Sequence, residues 1–120
     1  MSTDFVDHSA FPGIPADRGG VRLLFAMLRS GFPDLQATVH DQVADDDKVV
    51  TRKTLHGTHR GEFMGIPPTG RSAALEIIDI LRVRDGKITD HWCVVDQLGL
   101  LQQLGVIPAP GAEPAPAGVA

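Results

Sequence analysis

Residues 71 to 96 constrain the fold most. Two runs, "RSAALEIIDILRV" (71–83) and "KITDHWCVVD" (87–96), place apolar residues at nearly every second position and are joined by "RDGK". An alternation of period two is the signature of a strand, and an Asp-Gly pair between two such runs is a strong short-range hairpin signal. A hairpin of this length has one apolar face to bury, so a second layer has to cover it. The run "GGVRLLFAMLRSG" (19–31) supplies it, with Val21, Leu24, Phe25 and Leu28 at helical spacing and a stop at Gly31 and Pro33.

Between helix and hairpin the period is again two. Leu35, Ala37 and Val39 alternate with polar residues, and "KVVTRKTLHGTH" (48–59) repeats the pattern, which predicts two more antiparallel strands. A Gly/Pro loop, "GEFMGIPPTG" (61–70), leads into the hairpin, its prolines stiffening a turn. A short helix over 97–104, with Leu98, Leu101 and Leu104 inward, ends at Gly105. Helix first and consecutive strands after it predict an α+β fold, a helix packed on a curved antiparallel sheet. The chain of 120 residues is one domain, 1–105, followed by a Pro/Ala-rich stretch, "VIPAPGAEPAPAGVA" (106–120), expected to be disordered.

The hairpin register decides which residues share a face. A three-residue loop of Arg84, Asp85 and Gly86 pairs Val83 with Lys87, Asp79 with His91 and Ile77 with Cys93, all four of the last on one face. A two-residue loop shifts the pairing by one and separates Asp79 from His91 and Cys93. The first register is the expectation, and Val95 then follows His91 and Cys93 along the same face. A histidine beside a carboxylate in a pocket is an acid/base pair; on a solvated face the same pair does nothing. Trp92, Val94 and Asp96 take the opposite face, with Asp96 capping the following helix through the N–H of residue 98 or 99.

Other classes are disfavoured. The net charge of −4 gives no general attraction to nucleic acid, no apolar run is long enough for a membrane span, and the N-terminus does not read as a signal peptide, so a cytoplasmic protein is expected. One cysteine makes neither an internal disulfide nor a thiolate zinc site, and "HGTH" (56–59) with "HWC" (91–93) fits no common zinc spacing, so no metal is expected. Cys93 as a nucleophile with His91 as its base is the sharper reading of that residue; a small buried hydrophobe is the plainer one. Met27, Phe25 and Phe63 read as core or pocket lining.

The strings "GTHRGEFMGIPPTGR" (57–71), "IDILRVRDGKITDHW" (78–92) and "VVDQLGLLQQLG" (94–105), with "FPDLQATV" (32–39), resemble the SnoaL-like polyketide cyclases, or ester cyclases, of the NTF2-like superfamily. The resemblance implies a cone whose curved sheet wraps a hydrophobic pocket for a small apolar or aromatic carbonyl compound. It also implies a homodimer and no cofactor. The reaction implied is an intramolecular aldol ring closure with an aspartate of the last strand as acid/base. Matched by motif, that aspartate falls on Cys93, since relatives read "HWD" where this chain reads "HWC", and a histidine across the hairpin falls on Asp79. The same matching puts Asp7 or His8 at the pocket mouth and His59 at a strand end. Asp79, His91 and Cys93 are therefore the candidate catalytic residues. Asp7, His8, Phe25, His59, Phe63, Ile77 and Val95 are the candidate ligand contacts. Relatives carry a long helix ahead of "DFVDH", where this chain starts; that pocket wall is missing, comes from a partner chain, or lies ahead of residue 1. The absence of tyrosine and asparagine disfavours ketosteroid-isomerase and epoxide-hydrolase chemistry, which the superfamily also contains. Loss of the family aspartate leaves a second reading open, a noncatalytic binding protein.

Overall fold

A computed structural model describes residues 1–108. The elements are β1 (Val6–Asp7), α1 (Arg18–Gly31), β2 (Gln36–Asp45), β3 (Lys48–Thr58), β4 (Ser72–Arg84), β5 (Lys87–Val95) and α2 (Gln97–Gln103). The expected disordered tail lies, from residue 109 on, outside the described residues. The strands form one sheet in the order β1-β5-β4-β3-β2, antiparallel except where β1 runs parallel to β5. The fold is α+β, as the order of periodic segments predicts. β1 carries no periodic signal and joins the sheet at a distant point of the chain.

Both helices start on an aspartate. Asp17 accepts from the Gly20 N–H at 3.0 Å, and Asp96 from the Gly99 N–H at 2.9 Å, each satisfying a donor that the first turn leaves open. Gly20 is obligatory, because a Cβ there would stand 1.7 Å from the Pro15 carbonyl oxygen. The core joins Leu28 and Phe32 to Leu55, Phe63, Ala73, Ile77, Leu100 and Leu104. The leucine, isoleucine and phenylalanine side chains each contribute about 1.5–3 kcal/mol when fully buried, so this cluster fixes how the sheet's concave face meets the helices. No helix among the described residues is long and apolar enough to cross a membrane.

The β4–β5 hairpin departs from the expected register. Asp85 and Gly86 have φ of 52° and 73°, the left-handed pair of a two-residue type I′ turn, and Arg84 pairs with Lys87. By itself that turn would send His91 and Cys93 to the face opposite Asp79. The register shifts again between Arg82, which pairs with Asp90, and Val83, which pairs with Ile88, leaving Thr89 as an extra residue in β5. Two one-residue shifts restore the parity. Asp79, His91 and Cys93 share the concave face, but Asp79 lies opposite Cys93, His91 opposite Leu81, and Ile77 opposite Val95.

Candidate active site

Between α1 and the concave face lies a cavity of about 380 Å³. Val21, Leu24, Phe25 and Leu28 of α1 line one side, and Leu55, Leu75, Ile77, Cys93 and Val95 of the sheet line the other. Phe63 and Leu100 also contribute. Against these apolar walls stands one group of charged side chains: Asp7, Lys53, Asp79 and His91.

Local backbone structure explains the grouping. β1 pairs Asp7 with His91, and alternation then turns Asp7 inward. Asp79 on β4 and Lys53 on β3 face the same side, because Lys53 pairs with Ile77 and Thr51 with Asp79. His91 Nδ1 lies 3.1 Å from Asp7 Oδ1, and a carboxylate only accepts, so Nδ1 carries the proton. The other ring nitrogen, Nε2, is 3.8 Å from Asp79 Oδ2, an ion-pair distance that is too long for a hydrogen bond. The same Oδ2 is held by Lys53 Nζ at 2.8 Å. Asp79 is 3% exposed, and its second oxygen, Oδ1, has no hydrogen-bond partner among the described residues.

The charges shift one another's acidity. The Asp79 carboxylate beside the ring, and after it Asp7, hold the His91 imidazole above its ordinary value against the opposing pull of burial. Burial pushes Asp79 up, but His91 and Lys53 outweigh it and keep the carboxyl below its usual range. Burial, then the charges of Asp7 and Asp79, push the Cys93 thiol up, so at neutral pH it is a protonated, uncharged part of the wall.

Of the expected contacts, Asp7, Phe25, Phe63, Ile77 and Val95 line the cavity with Asp79, His91 and Cys93. Two do not. His8 follows Asp7 in β1 and so turns to the outer face, where it stacks on Trp92 with ring centroids 4.6 Å apart and bonds Asp90 at 2.9 Å. His59 is fully buried behind the cavity wall, against Phe32 at 5.3 Å, with the Thr69 N–H donating to its Nδ1 at 3.3 Å. It ties the ends of the 59–70 loop together through Gly70 N–H to His59 C=O at 2.8 Å. Lys53 was not expected. Its signal lies in "KVVTRKTLHGTH", where alternation sets a lysine between Thr51 and Leu55 on the inward face. Among the described residues no three His, Cys, Asp or Glu side chains are grouped to hold a metal ion.

Comparison with known proteins places this geometry. The sequence profile of the SnoaL-like polyketide cyclases matches residues 1–104. Aklanonic acid methyl ester cyclase DnrD of Streptomyces peucetius is 44% identical over 51 residues, 42% of this chain and 35% of that protein. Nogalonic acid methyl ester cyclase of Streptomyces nogalater is 46% identical over 37 residues, 31% of this chain and 28% of that protein. The matched segment thus spans about a third or less of these curated relatives. Solved structures align over far more. AclR of Streptomyces galilaeus, a suspected hydroxylase, is 36% identical with a TM-score of 0.81, covering 91% of this chain and 68% of its own. IdmH of Streptomyces antibioticus, a suspected polyketide cyclase, is 41% identical with a TM-score of 0.76, covering 88% and 81%.

Proposed function

We propose that this chain, which belongs to the SnoaL-like polyketide cyclase family, closes a ring in a small polyketide-like carbonyl compound by acid/base catalysis without a cofactor. The observation that carries this reading is the setting of His91. Asp7 fixes the Nδ1–H tautomer at 3.1 Å, which leaves Nε2 its lone pair, 3.8 Å from Asp79 Oδ2 and outside hydrogen-bond range, in a cavity whose walls are otherwise apolar. An aldol closure needs a base for a C–H between two carbonyls and an acid for the alkoxide that forms. Nε2 takes the carbon proton, the enolate carbon bonds to an internal ketone carbon, and the imidazolium returns the same proton to the new alkoxide. Asp7 and Asp79 favour the imidazolium that exists between those steps. Cys93 stays neutral, and Asp79 on the facing strand supplies a carboxylate beside the site.

The pH dependence tests this assignment. Because the raised His91 value belongs to a base that works unprotonated, kcat/KM rises with pH through a limb above the ordinary histidine value of about 6.5. Asp7→Asn removes one supporting charge while keeping an acceptor for Nδ1–H. Its limb is expected at lower pH than the parent's, and an unmoved limb would remove His91 from the role of base. A parent that binds a polyketide ester and leaves it unchanged would favour the noncatalytic binding protein instead.

The homodimer belongs to the same reading. Ile78 and Val94 are paired on the outer face and are 52% and 77% exposed, with Val43 on β2 at 66%. Adjacent exposed apolar side chains on a sheet face mark a contact surface. Sedimentation should give a dimer for the parent and a monomer for Val94→Lys; a monomeric parent ends the dimer reading.

A further inference from the structure

Taking a proton from carbon leaves a negative charge that His91 cannot hold. In a 1,3-dicarbonyl compound the charge resides on two oxygens, and the apolar walls of the cavity offer it nothing. Asp7 and Asp79 repel it. Among the described residues that line the cavity, Lys53 is the one lysine or arginine. Its ammonium has three N–H donors, and the polar partner it meets is Asp79 Oδ2 at 2.8 Å. Both side chains line the cavity, and the lysine is the more accessible of the two, 26% exposed against 4% for Asp79. Strand pairing sets the two side chains diagonally on one face, since Lys53 pairs with Ile77 and Asp79 with Thr51.

We infer that Lys53 is the residue that stabilises negative oxygen in this cavity, and that the ligands it selects are 1,3-dicarbonyl compounds that bind as enolates. The inference rests on the acid/base reading of the same site and adds to it the group that receives the charge. Asp79 is then a positioning residue that holds the ammonium by one donor and leaves two for the ligand. An enol that loses its proton next to Lys53 gains a charge-assisted hydrogen bond that the neutral form does not make. The bound compound should therefore ionise at lower pH than the free one.

Benzoylacetone, a 1,3-diketone with no internal ketone to close upon, tests this without turnover. Its enol and enolate differ in ultraviolet absorption, so the ionisation midpoint of the bound compound can be read directly. With the parent protein the midpoint should fall by about one pH unit, a tenfold change in the enolate-to-enol ratio at fixed pH. Asp79→Asn removes a nearby negative charge and should keep the shift. Lys53→Met with Asp79→Asn removes both charges together, avoiding a lone buried carboxylate, and should bind benzoylacetone with the shift lost. A shift that persists in this double variant overturns the inference, as does a parent that binds the diketone with no shift or does not bind it. The two readings fail separately. A Lys53-dependent shift in a protein that closes no ring ends the cyclase assignment alone, and a Lys53-independent shift in an active cyclase ends this inference alone.

Discussion

His91→Ala should lower kcat for ring closure of a polyketide ester by about a hundredfold to ten-thousandfold, the range that a positioned general acid/base contributes. KM should change little. The apolar surface that holds a ligand, from Phe25 and Leu28 of α1 to Ile77 and Val95 of the sheet, remains when the imidazole is gone. A loss confined to kcat is the sign of a group that acts in the transition state, whereas a loss confined to KM would make His91 a ligand contact only. The acid limb of the pH profile should vanish with the residue. Replacement also removes the bond from Nδ1 to Asp7, but β1 remains attached by the backbone bond from His8 N–H to His91 C=O at 2.9 Å, so the wall that Asp7 contributes keeps its place. A variant within about threefold of the parent in kcat would place the proton transfer elsewhere.

Much of this site was legible in the sequence, though in the hairpin by the cancellation of two effects. Alternation assigned Asp79, His91 and Cys93 to one face on the assumption of a three-residue loop. The turn is in fact the two-residue Asp85-Gly86 type, and the face survives because Thr89 bulges. A bulge inserts one residue without altering the composition of the strand, so periodicity cannot locate it. Pairing partners were accordingly off by two residues while the face was right. The β1 pairing was beyond periodicity for a different reason: two residues cannot show a period, and the partner strand is far along the chain. That short strand is what separates Asp7, turned in, from His8, turned out against Trp92. His59 sits just past the end of β3, where the alternation no longer says which way a side chain points, and its ring is taken up by Thr69 and Phe32. Lys53 is legible in the same alternation, between Thr51 and Leu55. A lysine on the inward face of a strand requires a partner, and Asp79 on the neighbouring strand is that partner.

The Lys53–Asp79 pair also sets the second large expectation, on stability. Asp79→Leu should destabilise the fold by about 3 kcal/mol, the lower end of the cost of breaking a buried ion pair, because Lys53 is a quarter exposed and keeps some water. That is a large part of the roughly 5–15 kcal/mol that holds a domain together. The same variant takes away the first support of the His91 imidazolium, so the raised His91 value should fall along with stability. Lys53→Met combined with Asp79→Leu should recover most of the loss, since an apolar pair of similar volume leaves no unpaired charge among Leu55, Ile77 and Cys93. The pH dependence gives an independent check. A carboxyl whose folded-state value lies below its unfolded one stabilises the protein above the unfolded value and loses that contribution as pH falls through the folded one. The stability gap between parent and Asp79→Leu, followed by urea unfolding, should therefore be full at neutral pH and close as the solution is taken below the ordinary carboxylate range. If the gap stays constant into acid, the charge of Asp79 contributes nothing, and the cost of the substitution comes from packing on the concave face.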